Sequence, residues 1–295
     1  GEPVARATFW RTSRELMPLE GEVWRRSVQL IMRQWPLLLC QAPLGSSAAT
    51  SGLTLPDPPL RDAALESITE VAHDLGRENR TSFCVFSYLK DEETGWPGWP
   101  ERFMRFTTPG PGTRLTINWD DFDGYLAHLR KKQRYNIKRN SRLAEEQGIE
   151  IRYHPEVTDI DAAMALHKDL NRRFKAPTEP WMRGAMAHAK MVDCAWLTAE
   201  MKGRMVGCEL MLGDKGAWLV TGLGLDHSVR YAYFALGYAD LRHAIDRGAR
   251  LLRWGSETYE VKERLGFRKE SNNHDVFAGI GLFHKLGGWA LTSMS

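Results

Sequence analysis

Apolar and polar positions alternate along the first third of the chain in a way that predicts strands separated by helices. Pro3 to Trp10 reads as a strand, while Val23, Val28 and Ile31 recur at helical spacing and predict a helix over 22–33. Ala42 to Pro59 is rich in Gly, Ser, Ala and Pro, with Leu44, Leu53 and Leu55 interspersed, and reads as an ordered loop or a glycine-bent strand. Leu60 to Gly76 predicts a helix closed by glycine, and Thr81 to Leu89 a strand of aromatic and small apolar residues. Asp91 to Gly112, dense in Gly, Pro and Trp, predicts a structured surface loop or a lid. Strand and helix in alternation indicate an α/β fold.

The pattern sharpens in the rest of the chain. Leu115 to Ile117 is strand-like, and Asp120 or Asp121 can cap a helix. Phe122, Leu126, Leu129, Ile137 and Ala144 then recur at helical spacing up to Gly148, which predicts a long helix or a helix pair over 122–147. Ile149, Ile151 and Tyr153 mark a strand, and Asp159 to Phe174 a helix with Ala163, Leu166 and Leu170 on one face. Strands follow at Ala195 to Glu200 and Arg204 to Leu212, turning at Lys202 and Gly203, and another at Ala217 to Gly224. A helix from Tyr231 to Arg247 ends at Gly248; a short strand, Leu251 to Trp254, precedes a last helix, Tyr259 to Leu265; His274 to Ile280 can add a final strand. In the strand Arg204 to Leu212, strict alternation puts Val206, Cys208, Leu210 and Leu212 on one face and Met205, Gly207, Glu209 and Met211 on the other.

At 295 residues the chain exceeds what one hydrophobic core usually serves, so two domains are expected, 1–118 and 119–295. With 43% hydrophobic and 26% charged residues it has the balance of a folded globular protein. The longest apolar run, Trp35 to Cys40, contains Pro36 and is too short to cross a bilayer. Gly1 to Arg6 lacks the features of a secretory signal, and Cys40, Cys84, Cys194 and Cys208 show no disulfide or zinc spacing, so reduced thiols and a cytoplasmic location are expected. A chain opening on Gly rather than Met leaves room for a piece upstream. Net charge is only +3, which excludes indiscriminate polyanion binding, yet Arg130, Lys131, Lys132, Arg134, Lys138, Arg139 and Arg142 follow one another with no acid among them.

Two sequence motifs and the order of elements point to a family. Strand, helix, three strands, helix, strand, helix, strand in the second half is the layout of the GNAT acyltransferase fold. Arg134-Tyr-Asn-Ile-Lys-Arg139 followed by Leu143-Ala-Glu-Glu-Gln-Gly-Ile-Glu-Ile151 resembles the RxNIRR…AEExGVxI signature of Fem-type and CelD-type tandem GNAT proteins, and Thr258 to Gly266 resembles their YxxKxxLG element. The resemblance covers about Asp121 to Phe267 and implies two GNAT-like domains with mixed central sheets flanked by helices, the first 120 residues being a diverged partner. It further implies an acyltransferase that joins an activated acyl or aminoacyl group to an amine, in which Lys262 faces the acyl donor.

The candidate site follows from what amide formation needs: a deprotonated amine, donors for the oxyanion and juxtaposed reactants. In this fold two neighbouring strands splay apart and expose main-chain N–H groups; here they are Ala217 to Gly224 and Leu251 to Trp254. Glu209, a carboxylate in an apolar strand, is the first candidate base, against the equally open alternative of a Glu on a solvated sheet face. Glu257, at the mouth of the last strand, is the second. Lys262 and Tyr259, three residues apart, share a helical face, and a solvated surface lysine is the plainer alternative. Arg134, Lys138 and Arg139 either hold a polyanion, namely coenzyme A phosphates or a tRNA acceptor end, or form a solvated helix face; Asn136 is unusual in mid-helix.

The loop entering the Tyr231 helix bears on the donor. Acetyl-coenzyme A users of this fold carry an R/QxxGxG/A loop whose glycines admit a pyrophosphate at a helix N-terminus. Here Arg230 and Ala235 fit that pattern and Tyr233 replaces the central glycine. An aminoacyl-tRNA donor is therefore favoured, with a small amine or peptide as acceptor; an acyl-coenzyme A-dependent N-acyltransferase is the rival, and a GNAT-like binding module without catalysis a third reading. Neither a tightly bound cofactor nor a metal is expected, since the histidines lack ligand spacing and no GxSxG elbow or Walker loop occurs.

Overall fold

The computed structural model of the chain describes residues 4–13, 30, 32–42, 48–108, 110–174 and 181–284, so most of the helix expected over 22–33 lies outside the described residues. The chain divides into two compact units, residues 1–45, 49–111 and 271–295 in one, and 46–48 and 112–270 in the other.

The first unit is built on a mixed sheet. Strands β1 (Arg6–Ala7) and β4 (Leu53–Thr54) form a small ladder of their own. The main sheet runs β2 (Phe9–Thr12), β3 (Leu37–Cys40), β5 (Phe83–Leu89), β14 (His274–Gly279), β6 (Met104–Thr107), with only β3 and β5 parallel. Helix α1 (Leu60–Glu78) packs Ala72 into a core around Phe86, whose ring meets Phe9, Trp99 and Phe103 at 5.7, 5.0 and 5.9 Å. The expected loop 91–112 thus contains a short helix, α2 (Asp91–Thr94), and the strand β6, and its Trp99 is a core anchor rather than part of a lid.

The expected boundary after residue 118 and the assignment of 119–295 to a single unit both need correction. The chain crosses at residue 112, and β14 returns to the centre of the first sheet. The reason is burial: Val276 and Phe277 enter separate core clusters on opposite faces, and only a central strand covers both.

In the second unit the strand order is β13 (Arg268–Lys269), β7 (Thr113–Thr116), β12 (Leu251–Arg253), β11 (Ala217–Leu225), β10 (Arg204–Asp214), β9 (Asp193–Met201), β8 (Ile149–His154). Every pairing is antiparallel except β11 with β12. The place beside β12 is taken by β7, from the start of the unit.

One face carries α3 (Phe122–His128), α4 (Lys131–Glu146) and α7 (Ala232–Asp246), the other α5 (Ile160–Arg173) and α6 (Met182–His188). The expected helix over 122–147 is a pair: Leu129 and Arg130 are extended, and Gln133 Oε1 accepts from the Arg130 N–H at 2.9 Å to start α4. In β10 the ladder to β9 shifts between Met205 and Gly207, so Val206 lies with Met211 in the core under α7 while Cys208 and Leu210 face α5. The alternation expected there holds from Gly207 to Leu212 and fails at Met205 and Val206, because a bulge adds one residue and flips the face.

Candidate active site

The two strands expected to splay hold three paired positions, Ala217 with Leu251, Trp218 with Leu252 and Leu219 with Arg253. Beyond these β11 runs on to Leu225, while the chain leaving β12 turns toward β7, the Trp254 N–H donating to the Thr113 carbonyl at 3.0 Å. A cavity of about 490 Å³ opens where they part, lined by Thr221, Gly222, Trp254 and Gly255 among others.

A β-bulge shapes this cavity. Cys208 pairs with Gly224 and Leu210 with Thr221, so Gly222 and Leu223 lie opposite the single residue Glu209. Gly222 has φ +64°, a left-handed conformation natural to glycine at a bulge. His167 on α5 holds the bulge from the other side. Its Nδ1 lies 2.9 Å from the Leu223 carbonyl, which can only accept, so Nδ1 carries the proton and Nε2 accepts from Asn171 Nδ2 at 3.1 Å. Burial pushes the His167 pKa down, which favours that neutral form.

Glu209 is 1% exposed and so is not on a solvated face. Across from it on α7 stands Asp240, fully buried, with its carboxyl against that of Glu209. Glu209 Oε2 and both Asp240 oxygens find no N–H donor among the described residues; Glu209 Oε1 is 3.5 Å from Trp254 Nε1. Two buried carboxyls in contact cannot both ionise, so they share a proton. Burial, then the Glu209 charge, raises Asp240 well above the usual carboxyl range. Burial pushes Glu209 up to about 7, opposed by Asp240, the Trp254 indole and the Lys262 charge. Asp240 was missed by the sequence reading. The signal was a single acid set among Leu236, Ala239, Leu241 and Ala244 on a helix buried along most of its length.

Lys262, on helix α8 (Tyr259–Arg264), also lines the cavity and is 4% exposed. Its ammonium donates to the carbonyls of Trp254, Gly255 (3.3 Å) and Ser256 (2.8 Å), which uses all three of its protons. It thereby fixes the segment that carries β12 away from β11. Burial lowers its pKa to about 8, and the Glu257 and Glu209 charges hold it up.

The other expected residues are distributed unevenly. Tyr233 lines the cavity, its ring parallel to Trp254 at 6.4 Å, and burial pushes its hydroxyl up to about 12. Arg230 and Glu257 are exposed on the rim; Glu257 (φ 68°) and Thr258 (φ 46°) are two successive left-handed residues, a strained entry to α8. Tyr259 does not line the cavity: it opens α8, and its ring lies under the Lys269 ammonium at 4.5 Å, because residues three apart on a helix are still offset around its axis. Arg134, Asn136, Lys138 and Arg139 do not line it either. Arg134 Nη1 donates to the Ala127 and Leu129 carbonyls at 3.1 and 2.5 Å and so pins the break between α3 and α4; Lys138 and Arg139 are exposed along α4, and Asn136 is half-buried.

Among the described residues no group of His, Cys, Asp and Glu is arranged to hold a metal ion, and no helix is long and apolar enough to cross a membrane. Comparison by sequence with curated proteins gives no match. Among solved structures the chain is similar to L-PGS from Bacillus licheniformis (TM-score 0.54, 10% identity, 83% of this chain and 78% of that one). It is also similar to FemX (0.53, 9%, 87% and 83%) and to a conserved Bacteroides thetaiotaomicron protein of unknown function (0.52, 11%, 84% and 80%). At such identities the likeness is one of fold. The acetyltransferase (GNAT) domain family matches residues 131–263, which span the splayed strands, Glu209, Asp240 and Lys262. Those residues therefore form a GNAT-type acyltransferase domain, in a chain whose fold is shared with FemX.

Proposed function

We propose that this cavity forms an amide bond between an aminoacyl group, carried as an ester on tRNA, and the amine of a small molecule or peptide. The observation that carries the reading is the buried Glu209 facing a β-bulge at the point where β11 and β12 separate. The acyl carbonyl lies in the gap, its oxygen toward main-chain N–H groups on the side of β11 away from β10, where the developing charge is stabilised. Glu209 takes the proton of the attacking amine; the new C–N bond forms, the ester C–O bond breaks, and the proton passes to the leaving ribose oxygen. Asp240 keeps the shared proton and holds Glu209 in place. The Lys262 charge biases the cavity toward negative charge in the transition state.

Two features favour the tRNA ester. Tyr233, stacked on Trp254, stands where acetyl-coenzyme A users of this fold carry the central glycine of their pyrophosphate loop, and the exposed basic side chains of α4 suit an RNA backbone. A second reading, acyl transfer from an acyl-coenzyme A, is favoured by the start of α7. No side chain caps that helix, and Arg230 stands beside it on the cavity rim. Radiolabelled aminoacyl-tRNA and acetyl-coenzyme A, supplied in parallel to the purified protein with small amines and cell-wall-type peptides, separate the two. Labelled amide from the aminoacyl-tRNA is expected; amide from the thioester alone would sink the tRNA reading and leave the second.

A further inference from the structure

The edge of the second sheet carries an unusual row of charge. Arg114 on β7 lies directly opposite Arg253 on β12 and directly opposite Arg268 on β13, so three guanidinium groups leave adjacent strands on one face. Like charges placed directly across a ladder weaken it, and β13 has only two residues with which to compensate. Arg253 is neutralised by Glu270 through bonds of 3.2 and 2.7 Å. Arg114 and Arg268 form no ion pair among the described residues.

A second cavity, of about 560 Å³, lies beside them, between β7, α3 and the turn from α8 to β13. It shares no lining residue with the acyl-transfer cavity. Arg114, Arg268, Lys269 and His128 line it and no carboxylate does, although the chain as a whole is nearly balanced in charge. The Lys269 ammonium is held over the Tyr259 ring. The lining also includes an aromatic side chain. The half-exposed Trp119 is steadied by Tyr125 and His128, each 5.2 Å from it, and the Tyr125 hydroxyl is anchored on the Leu265 carbonyl at 3.0 Å. The volume exceeds what a lone phosphate fills and suits a small organic ligand.

We propose that this second cavity binds a phosphorylated nucleoside, its phosphate on the Arg114 and Arg268 pair and its base against Trp119. Guanidinium pairs recognise phosphate oxygens bidentately, and an indole face accepts any base by stacking. Both a free nucleotide and the end of an RNA strand offer this chemistry. Calorimetric titration of the full chain with ATP, inorganic phosphate and a short single-stranded RNA distinguishes them.

Saturable binding of ATP or the RNA, tighter than that of phosphate, is expected. The double variant Arg114→Gln/Arg268→Gln should weaken it roughly tenfold or more, and Trp119→Leu should weaken the nucleoside probes while sparing phosphate. Lys215→Gln, on the exposed turn between β10 and β11, controls for loss of general positive charge and should change nothing. Equal affinity for ATP and RNA identifies a nucleotide site; much tighter RNA binding that falls steeply with salt identifies a strand end. Should circular dichroism show the double variant unfolded, Arg268→Gln alone replaces it, with a loss of several-fold expected. The proposal fails if no probe saturates, if the arginine variants bind as the parent does, or if Lys215→Gln costs as much as they do.

Discussion

Glu209 combines three properties that a general base in the proposed reaction needs: it opens onto the cavity, it is shielded from water, and burial raises its pKa to about 7. Glu209→Gln keeps the shape and removes the base, so steady-state turnover should fall by about 10²- to 10⁴-fold with the thermal transition preserved. A loss smaller than tenfold would assign the proton transfer elsewhere. Asp240 makes a subtler prediction, because its raised pKa keeps it neutral when Glu209 ionises. Turnover should rise with pH through about 7 in the parent protein as Glu209 loses its proton. Asn at position 240 mimics a neutral Asp, so Asp240→Asn should retain that limb near the same pH, whereas Asp240→Ala removes the neighbour and should displace it upward. If Asp240→Asn abolished the limb, Asp240 rather than Glu209 would be the titrating member of the pair.

At the scale of the element, the site depends on how α7 and α8 hold the end of β12. Gly237 on α7 is one turn beyond Tyr233, and a Cβ there would sit 2.5 Å from Trp254 Cη2. Gly237→Ala should therefore push the indole toward the cavity, destabilising the fold by roughly 1–3 kcal/mol and lowering turnover more than the stability loss alone explains. A parallel shift of melting temperature with intact turnover would show that the cavity tolerates the displacement. Much of this arrangement was legible beforehand. Strands β9 to β11 and helix α7 have strong periods bounded by turns, and the separation of β11 from β12 was expected near Thr221 and Trp254. Other parts were not legible, for physical reasons. Alternation placed Gly207 to Leu212 of β10 on the right faces, but the bulge at Met205–Gly207 exchanges the faces of Met205 and Val206 without altering composition, so those two could not be read from it. Asp240 is written as an ordinary helix residue until Glu209 is placed across from it. Strand β14 reads as a strand from its own residues, but its choice of the first sheet depends on which core has room on both faces.

Across the whole molecule, buried carboxyls link stability to pH in both units. In the first unit Asp275 of β14 lies opposite a bulge in β5, where Ser87 and Tyr88 face it as the ladder shifts between His274 and Val276, and its Oδ1 accepts from the Tyr88 N–H at 3.3 Å. Burial raises its pKa from 3.8 to about 7, with the hydrogen bonds from Tyr88 and Ser87 opposing. A carboxyl whose folded pKa is raised binds its proton more tightly in the native state. The stability it contributes is present below the unfolded value and is lost as pH climbs from about 4 through 7. A shift of this size corresponds to roughly 4 kcal/mol at most over that window. Glu209 and Asp240 act with the same sign in the second unit. Asp275→Asn cannot ionise, so relative to the parent it should gain stability steadily between pH 4 and pH 8 in denaturant melts followed by a probe in the first unit. Glu209→Gln should do the same for a probe in the second unit alone. A difference between Asp275→Asn and the parent that stays constant across this range would mean that Asp275 ionises in the native state as freely as it does unfolded, and that water reaches it at the bulge of β5.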